Sequence, residues 1–98
     1  MKVEFTSLAE RQIEDLYNYI ADHSSERIAE EYVARIVSSC MKLRDFPRRG
    51  TKHDDILPGL RTIGFDRRVT IAFLVLEESV LIEGIFYGGQ EFSVAFDR

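Results

Sequence analysis

Residues 69–76 read VTIAFLVL, a run without a single charge that is rich in β-branched and aromatic side chains. Taken as a strand, it places Val69, Ile71, Phe73 and Val75 on one face and Thr70, Ala72, Leu74 and Leu76 on the other. Both faces are apolar, so both must be covered. Such a strand belongs in the middle of a sheet rather than on its surface. The remainder of the chain reads as the material that flanks and covers it.

Strand patterns at 60–65 and 80–87 bracket this run. Asp66-Arg67-Arg68 and Glu77-Glu78-Ser79 are the turns between them, and connections this short make the three strands antiparallel neighbours. At the N-terminus, residues 2–6 alternate, with Val3 and Phe5 on one face. This is a half-buried strand too short to stand alone, so it is expected to join the same sheet.

Two helices are predicted between these strands. Ser7-Leu8-Ala9-Glu10 has the pattern of a capping box, with Ser7 as the N-cap and Glu10 reaching back to it. Ile13, Leu16, Tyr17 and Ile20 follow at helical spacing, and Glu10, Glu14 and Asp15 lie near the positive end of the helix dipole. The helix is expected to stop near Asp22-His23. Ser24 or Ser25 caps the second helix, whose apolar stripe is Ala29, Tyr32, Val33, Ile36, Val37, Cys40 and Leu43, with Phe46 as its expected last member. Pro47 and Gly50 end it. The short link makes the two helices an antiparallel hairpin. Residues 47–59 hold both prolines, His53 and Asp54-Asp55, and read as a loop with room for one helical turn.

The expected class is therefore α+β. An N-terminal strand, an antiparallel helical hairpin and a three-stranded antiparallel meander form one sheet, in a single domain over residues 1–98. The hairpin covers one face of the sheet. The other face needs a C-terminal segment, a second copy or a partner chain, which is the first sign of an interaction protein.

Composition narrows the function classes. One cysteine, Cys40, excludes an internal disulfide and a Cys-rich zinc site, and its place on the helix stripe makes it a small core residue. No signal-peptide pattern follows MKVEFTSLAE and no run approaches the length of a membrane span, so the expected location is the cytosol. The net charge of -4 argues against broad nucleic-acid binding. The charge is unevenly placed. Acids crowd residues 1–31, whereas Lys42, Arg44, Arg48, Arg49, Lys52, Arg61, Arg67 and Arg68 concentrate in residues 42–68. A local basic surface, or merely solvated loop and edge charges, is what this pattern provides.

No catalytic constellation emerges from the residues alone. Arg61, in Pro-Gly-Leu-Arg, is suited to bind a phosphate or carboxylate, or to make a structural pair with Asp54 or Asp55. Tyr87-Gly88-Gly89-Gln90-Glu91 closes the last strand, and Tyr87 and Glu91 could serve as acid and base or simply end a strand. His23 and His53 are isolated, so a metal site is not expected.

The order of these motifs carries a resemblance. A strand is followed at once by Ala9, Asp15, Leu16, Tyr19 and Ile20. The second helix ends in Cys40, Leu43, Phe46, Pro47 and Gly50. Pro58-Gly59-Leu60-Arg61 leads into an apolar hairpin that closes at Tyr87-Gly88-Gly89-Gln90-Glu91. Over nearly its whole length the chain resembles the RelE/ParE superfamily of type II toxin–antitoxin toxins, on the ParE side. The resemblance implies a cytoplasmic bacterial toxin that poisons DNA gyrase, blocks replication and arrests growth, without a cofactor or metal. It also implies neutralisation by a cognate antitoxin whose extended part wraps the toxin, in an assembly that is a homodimer or a toxin–antitoxin heterotetramer. RelE-like relatives instead cut mRNA on the ribosome. Under that alternative Arg61 would hold the phosphate and Tyr87 would act as acid or base. A third alternative is an inactive relative that keeps antitoxin binding only. Arg48, Arg49, Arg61, Arg67, Arg68 and Glu91 are the residues expected to contact a target or partner. The chain departs from the family where Tyr87 stands for a frequent His, Glu91 for Asp and Gly84 for a frequent Arg.

Overall fold

The computed structural model describes residues 1–88 together with 95 and 96. In chain order the elements are β1 (Lys2–Phe5), α1 (Ser7–His23), α2 (Glu26–Met41), a 3-10 turn (Lys42–Arg44), β2 (Thr51–Lys52), β3 (Arg61–Phe65), β4 (Val69–Val75) and β5 (Ser79–Tyr87). They build a five-stranded sheet in the order β1-β5-β4-β3-β2 with the helical hairpin on one face. The apolar run is the central strand, as its two apolar faces required.

The sheet is mixed. β3, β4 and β5 form the antiparallel meander, but β1 runs parallel to β5, with Val3 opposite Val80 and Phe5 opposite Ile82. A parallel pair needs a crossover, and the chain between β1 and β5 supplies it. Residues 47–59 contain β2, which pairs antiparallel with β3 and adds an edge strand where only a loop was expected. Gly50 precedes it at φ 88, with its α-carbon against the Thr62 carbonyl so closely that a Cβ would collide with that oxygen.

Helix starts follow side-chain hydrogen bonding rather than the motif. Thr6, not Ser7, is the N-cap of α1: its Oγ1 accepts from the Ala9 amide at 3.1 Å, and Ser7 is the first helical residue. The reason lies in the sheet, because the Thr6 hydroxyl donates at the same time to the Glu83 carbonyl at 3.0 Å. Ser25 caps α2 by accepting from the Ile28 amide at 3.1 Å.

One core lies between helices and sheet. Ala9, Leu16, Ile36, Cys40 and Leu43 meet Val69, Ile71, Phe73, Val80, Ile82 and Ile85 there. A smaller cluster on the opposite face holds Leu60, Ala72, Phe86 and Phe96, flanked by Ile56, Leu57 and Leu74. The 56–60 loop and Phe96 thus cover part of the face that the hairpin leaves open. Phe46 does not finish the α2 stripe. It is 71% exposed, because α2 ends at Met41 and the tighter turn over 42–44 rotates the following residues out of phase.

Ile82 and Ile85 are three apart yet face the same core. This requires the β-bulge in β5: Ala72 pairs with Gly84 and Phe73 with Ile82, which leaves Glu83 as the extra residue. The backbone groups around it are satisfied from outside the β4–β5 ladder. Ile82 O accepts from the Thr6 amide, Glu83 O from the Thr6 hydroxyl, and the Ile85 amide donates to Gln12 Oε1 at 2.6 Å. The bulge, the helix cap and α1 are therefore one coupled device.

The β3–β4 turn places Asp66 at φ 54 and Arg67 at φ 57, with the Arg68 amide bonded to Phe65 O at 3.2 Å. Two left-handed central residues make a type I′ turn, whose twist suits a hairpin. Arginine disfavours that conformation by roughly 1–2 kcal/mol. Arg67→Gly is expected to raise stability by about 1 kcal/mol in urea titration; a loss of stability would contradict the turn geometry.

Cys40 is fully buried, and burial pushes its thiol from an ordinary value of 9.0 up to about 12. The unfolded thiol ionises first, so its contribution to stability is level below about pH 9 and falls as pH rises toward 12. Labelling of the native protein by a disulfide reagent at about pH 8 is expected to wait for unfolding. Rapid labelling without unfolding would show that the thiol is accessible.

Candidate functional site

The residues singled out in the sequence fall into two groups at different ends of the sheet. The first lies at the β2 edge. Arg61 opens β3, half-buried, opposite Lys52 on β2 and Phe73 on β4. His53 holds Thr62 Oγ1 at 2.9 Å, and Asp54 accepts from the Gly59 amide at 2.8 Å, so this carboxylate closes its own loop. Upstream, Arg48 and Arg49 are exposed and, with Asp45, Phe46 and Pro47, line a shallow cavity of about 480 Å³.

The second group lies at the β3–β4 turn. Arg67 and Arg68 are exposed there, and the Arg68 carbonyl accepts from the Gly88 amide at 2.9 Å, which draws the turn to the end of β5. Tyr87 is on the helix face of β5, opposite Val69. Its ring is 6.4 Å from that of Tyr19, which in turn stacks on His23 at 4.2 Å. Tyr87 and Tyr19, with Gln12, Asp15, Leu16 and Ile85, line a cleft of about 370 Å³ between α1 and β5. The Arg35 guanidinium sits 5.2 Å from the centre of the Phe65 ring and 5.9 Å from that of Tyr32.

Tyr32 joins this end of the molecule to the core. Its ring meets Phe65 edge-on at 5.6 Å, and its hydroxyl is buried beside the Asp66 carboxylate. Burial first, then the Asp66 carboxylate and Tyr87, push the Tyr32 pKa above the ordinary phenol value, while the Arg68 guanidinium acts the other way. The aromatic and basic cluster around Tyr32 was not legible beforehand. Its members come from α2, β3 and the turn, and no local pattern links them.

The structure does not bring Arg61 and Tyr87 together. Tyr87 is opposite Val69, and Val69 is opposite Phe65, four residues along β3 from Arg61. The separation is roughly 13 Å along the strands and about 10 Å across them. A phosphate-binding group and an acid acting on one phosphate must both come within about 3 Å of it. Among the described residues, Arg48, Arg49, Lys52, Arg61, Arg67 and Arg68 make no ion pair; the ion pair seen, Arg27 with Glu31 at 4.0 Å, is on the outside of α2. The side chains at 48, 49, 67 and 68 are exposed. Glu91 lies outside the described residues.

A family model described as the ParE toxin of the type II toxin–antitoxin system parDE matches residues 3–92. A solved structure titled as the chromosomal ParDE toxin–antitoxin system from P. aeruginosa superposes with a TM-score of 0.78 at 21% sequence identity, covering 90% of this chain and 96% of that one. At that identity the likeness is one of fold. No curated protein matches the chain.

Proposed function

The chain belongs to the ParE toxin family of type II toxin–antitoxin systems, and on that premise we propose that it acts in the cytoplasm by contact, as an inhibitor of DNA gyrase held in check by a cognate antitoxin. The observation that carries this reading is the separation of Arg61 from Tyr87. Among the described residues Arg61 and Tyr87 do not meet at one point, as RNA cleavage by that pair would require, and a binding mode needs no such pair. The turn at Arg67 and Arg68 is the contact we assign to the target. Two exposed guanidiniums on a rigid type I′ hairpin beside the Tyr32–Phe65–Arg35 cluster form a presented basic surface with an aromatic base.

The test is purified chain with gyrase, plasmid DNA and ATP, scored for linear DNA trapped on the enzyme. Trapped complexes are expected. Arg67→Glu with Arg68→Glu is expected to reduce trapping at least about tenfold, with the melting temperature unchanged within a few degrees. No trapping and unaffected supercoiling, together with mRNA cleavage on ribosomes that is lost in Arg61→Ala, would replace this reading by the RNA-cutting one. Neither activity, with tight antitoxin binding retained, would mark a relative that no longer poisons its host.

A further inference from the structure

Asp15, Leu16 and Tyr19, singled out by their order in the sequence, meet Tyr87 from far along the chain. With Gln12 they recur at helical spacing, so they share one face of α1. That face and the end of β5, at Ile85 and Tyr87, form the cleft of about 370 Å³. The contact assigned to gyrase involves none of these side chains.

The lining divides into three kinds of surface. Leu16 and Ile85, 5% and 2% exposed, are its apolar base. The Tyr19 and Tyr87 rings flank it, with centroids 6.4 Å apart and planes tilted by 50°. Of the described residues that line it, Asp15 is the charged one, and it is exposed. The walls are set before anything binds. Gln12 Oε1 accepts from the Ile85 amide at 2.6 Å, which ties α1 to β5. His23 stacks on Tyr19, and its Nδ1 lies 2.8 Å from the Tyr19 carbonyl, so the next helical turn braces the ring. A site held in this way gives up little conformational freedom on binding.

An apolar base, two aromatic rings and one carboxylate suit an arginine side chain. Its methylene stem lies along apolar surface, its planar guanidinium stacks on aromatic faces, and its forked donors match a carboxylate. An anion would be repelled by Asp15, and a purely apolar ligand would strip water from that carboxylate without pairing it. Lysine presents a strongly hydrated point charge and gains less from the rings. The same molecule already pairs these groups nearby, where the Arg35 guanidinium lies over Phe65 and Tyr32. Among the described residues no arginine lines the α1–β5 cleft. A free amino acid would bring an α-carboxylate, for which that lining offers no cation. An arginine within a peptide brings none. We propose that the cleft receives an arginine side chain presented by another protein chain, its guanidinium paired with Asp15 and stacked on Tyr19 and Tyr87, its stem over Leu16 and Ile85.

The test is titration of the 15N-labelled chain with arginine blocked at both ends, followed by amide chemical shifts. Shifts at Leu16, Tyr19, Ile85 and Tyr87 are expected, with a dissociation constant in about the millimolar range, as suits a single side chain. Blocked citrulline, which keeps the shape and lacks the charge, is expected to bind at least about tenfold more weakly. Asp15→Asn and Tyr19→Ala are each expected to weaken arginine binding about tenfold, whereas Tyr19→Phe, which keeps the ring, should stay within about twofold. Both positions are exposed, so circular dichroism should show native folds. An arginine flanked by glycines in a pentapeptide is expected to bind at least as tightly as the blocked residue. No shifts at the cleft up to about 50 mM, equal binding of citrulline, or indifference to Asp15→Asn would overturn the proposal. A peptide that binds more weakly than free arginine, or spermidine that binds more tightly than the peptide, would overturn it too, by making the ligand a small molecule.

Discussion

Phe73→Ala is expected to cost about 3–5 kcal/mol of folding stability. Phe73 is fully buried and, among the described residues, the largest of the fully buried side chains. It sits on the central strand, opposite Arg61 on β3 and Ile82 on β5. A void there has little chance to collapse. β5 is paired on both sides, and its bulge is held by Thr6 and Gln12, so Ile82 cannot move in without breaking bonds from α1. With total stability of a domain this size on the order of 5–15 kcal/mol, the variant retains only a fraction of it. The melting temperature is expected to fall on the order of 15–30 °C. Urea unfolding followed by circular dichroism measures the effect. A loss below about 1 kcal/mol would show that the Phe73 ring does not fill the space between hairpin and sheet.

Phe73 was legible as a core residue because a central strand announces itself. Every position of residues 69–76 is uncharged, and period-two reading assigns its faces at once. The helical hairpin was equally legible, since the stripe of α2 runs to Cys40 and on to Leu43 in the 3-10 turn, both fully buried. The features that sequence reading missed are of another kind. The parallel pairing of β1 with β5 joins residues nearly eighty positions apart, and short strands carry no mark of direction. The type I′ turn was hidden because Asp66-Arg67 lacks the glycine that usually signals it. Thr6 became the cap through a bond to Glu83, which lies 77 positions away. In each case the deciding interaction is tertiary, and a local motif such as the Ser7–Glu10 box loses to it.

Phe46 shows the opposite failure. Its spacing from Leu43 continues the stripe only if the helix continues, and the change to a 3-10 turn at Lys42 shifts the phase. For the site, the basic stretch 42–68 was correctly seen as uneven charge, but its division into two surfaces depends on register. Arg48 and Arg49 precede the β2 edge, whereas Arg67 and Arg68 occupy the turn at the far end of β3. Arg61 and Tyr87 lie two strands and four residues apart once the register is fixed, which no local pattern could show.

Gly84 is where sequence and structure together make the sharper prediction. The resemblance places an arginine there in many relatives, and this chain has no side chain at all. The structure supplies the reason: a Cβ on Gly84 would stand 2.5 Å from Cε2 of Phe86, 2.7 Å from its Cζ and 3.2 Å from Gln12 Oε1. The Phe86 ring, 6% exposed, has taken the space and meets Phe96 edge-on at 6.2 Å. Gly84→Ala is therefore expected to destabilise by about 2–3 kcal/mol, as overpacking does in a site that cannot yield. Yielding is blocked on both sides, since Gly84 pairs with Ala72 and Gln12 is bonded to the next amide. The same change made in a Phe86→Ala background is expected to cost less than about 0.5 kcal/mol, because the colliding ring is gone and the two sites are coupled. Equal costs in both backgrounds would show that the ring does not lie over the glycine. Gly84→Arg should destabilise at least as much as Gly84→Ala.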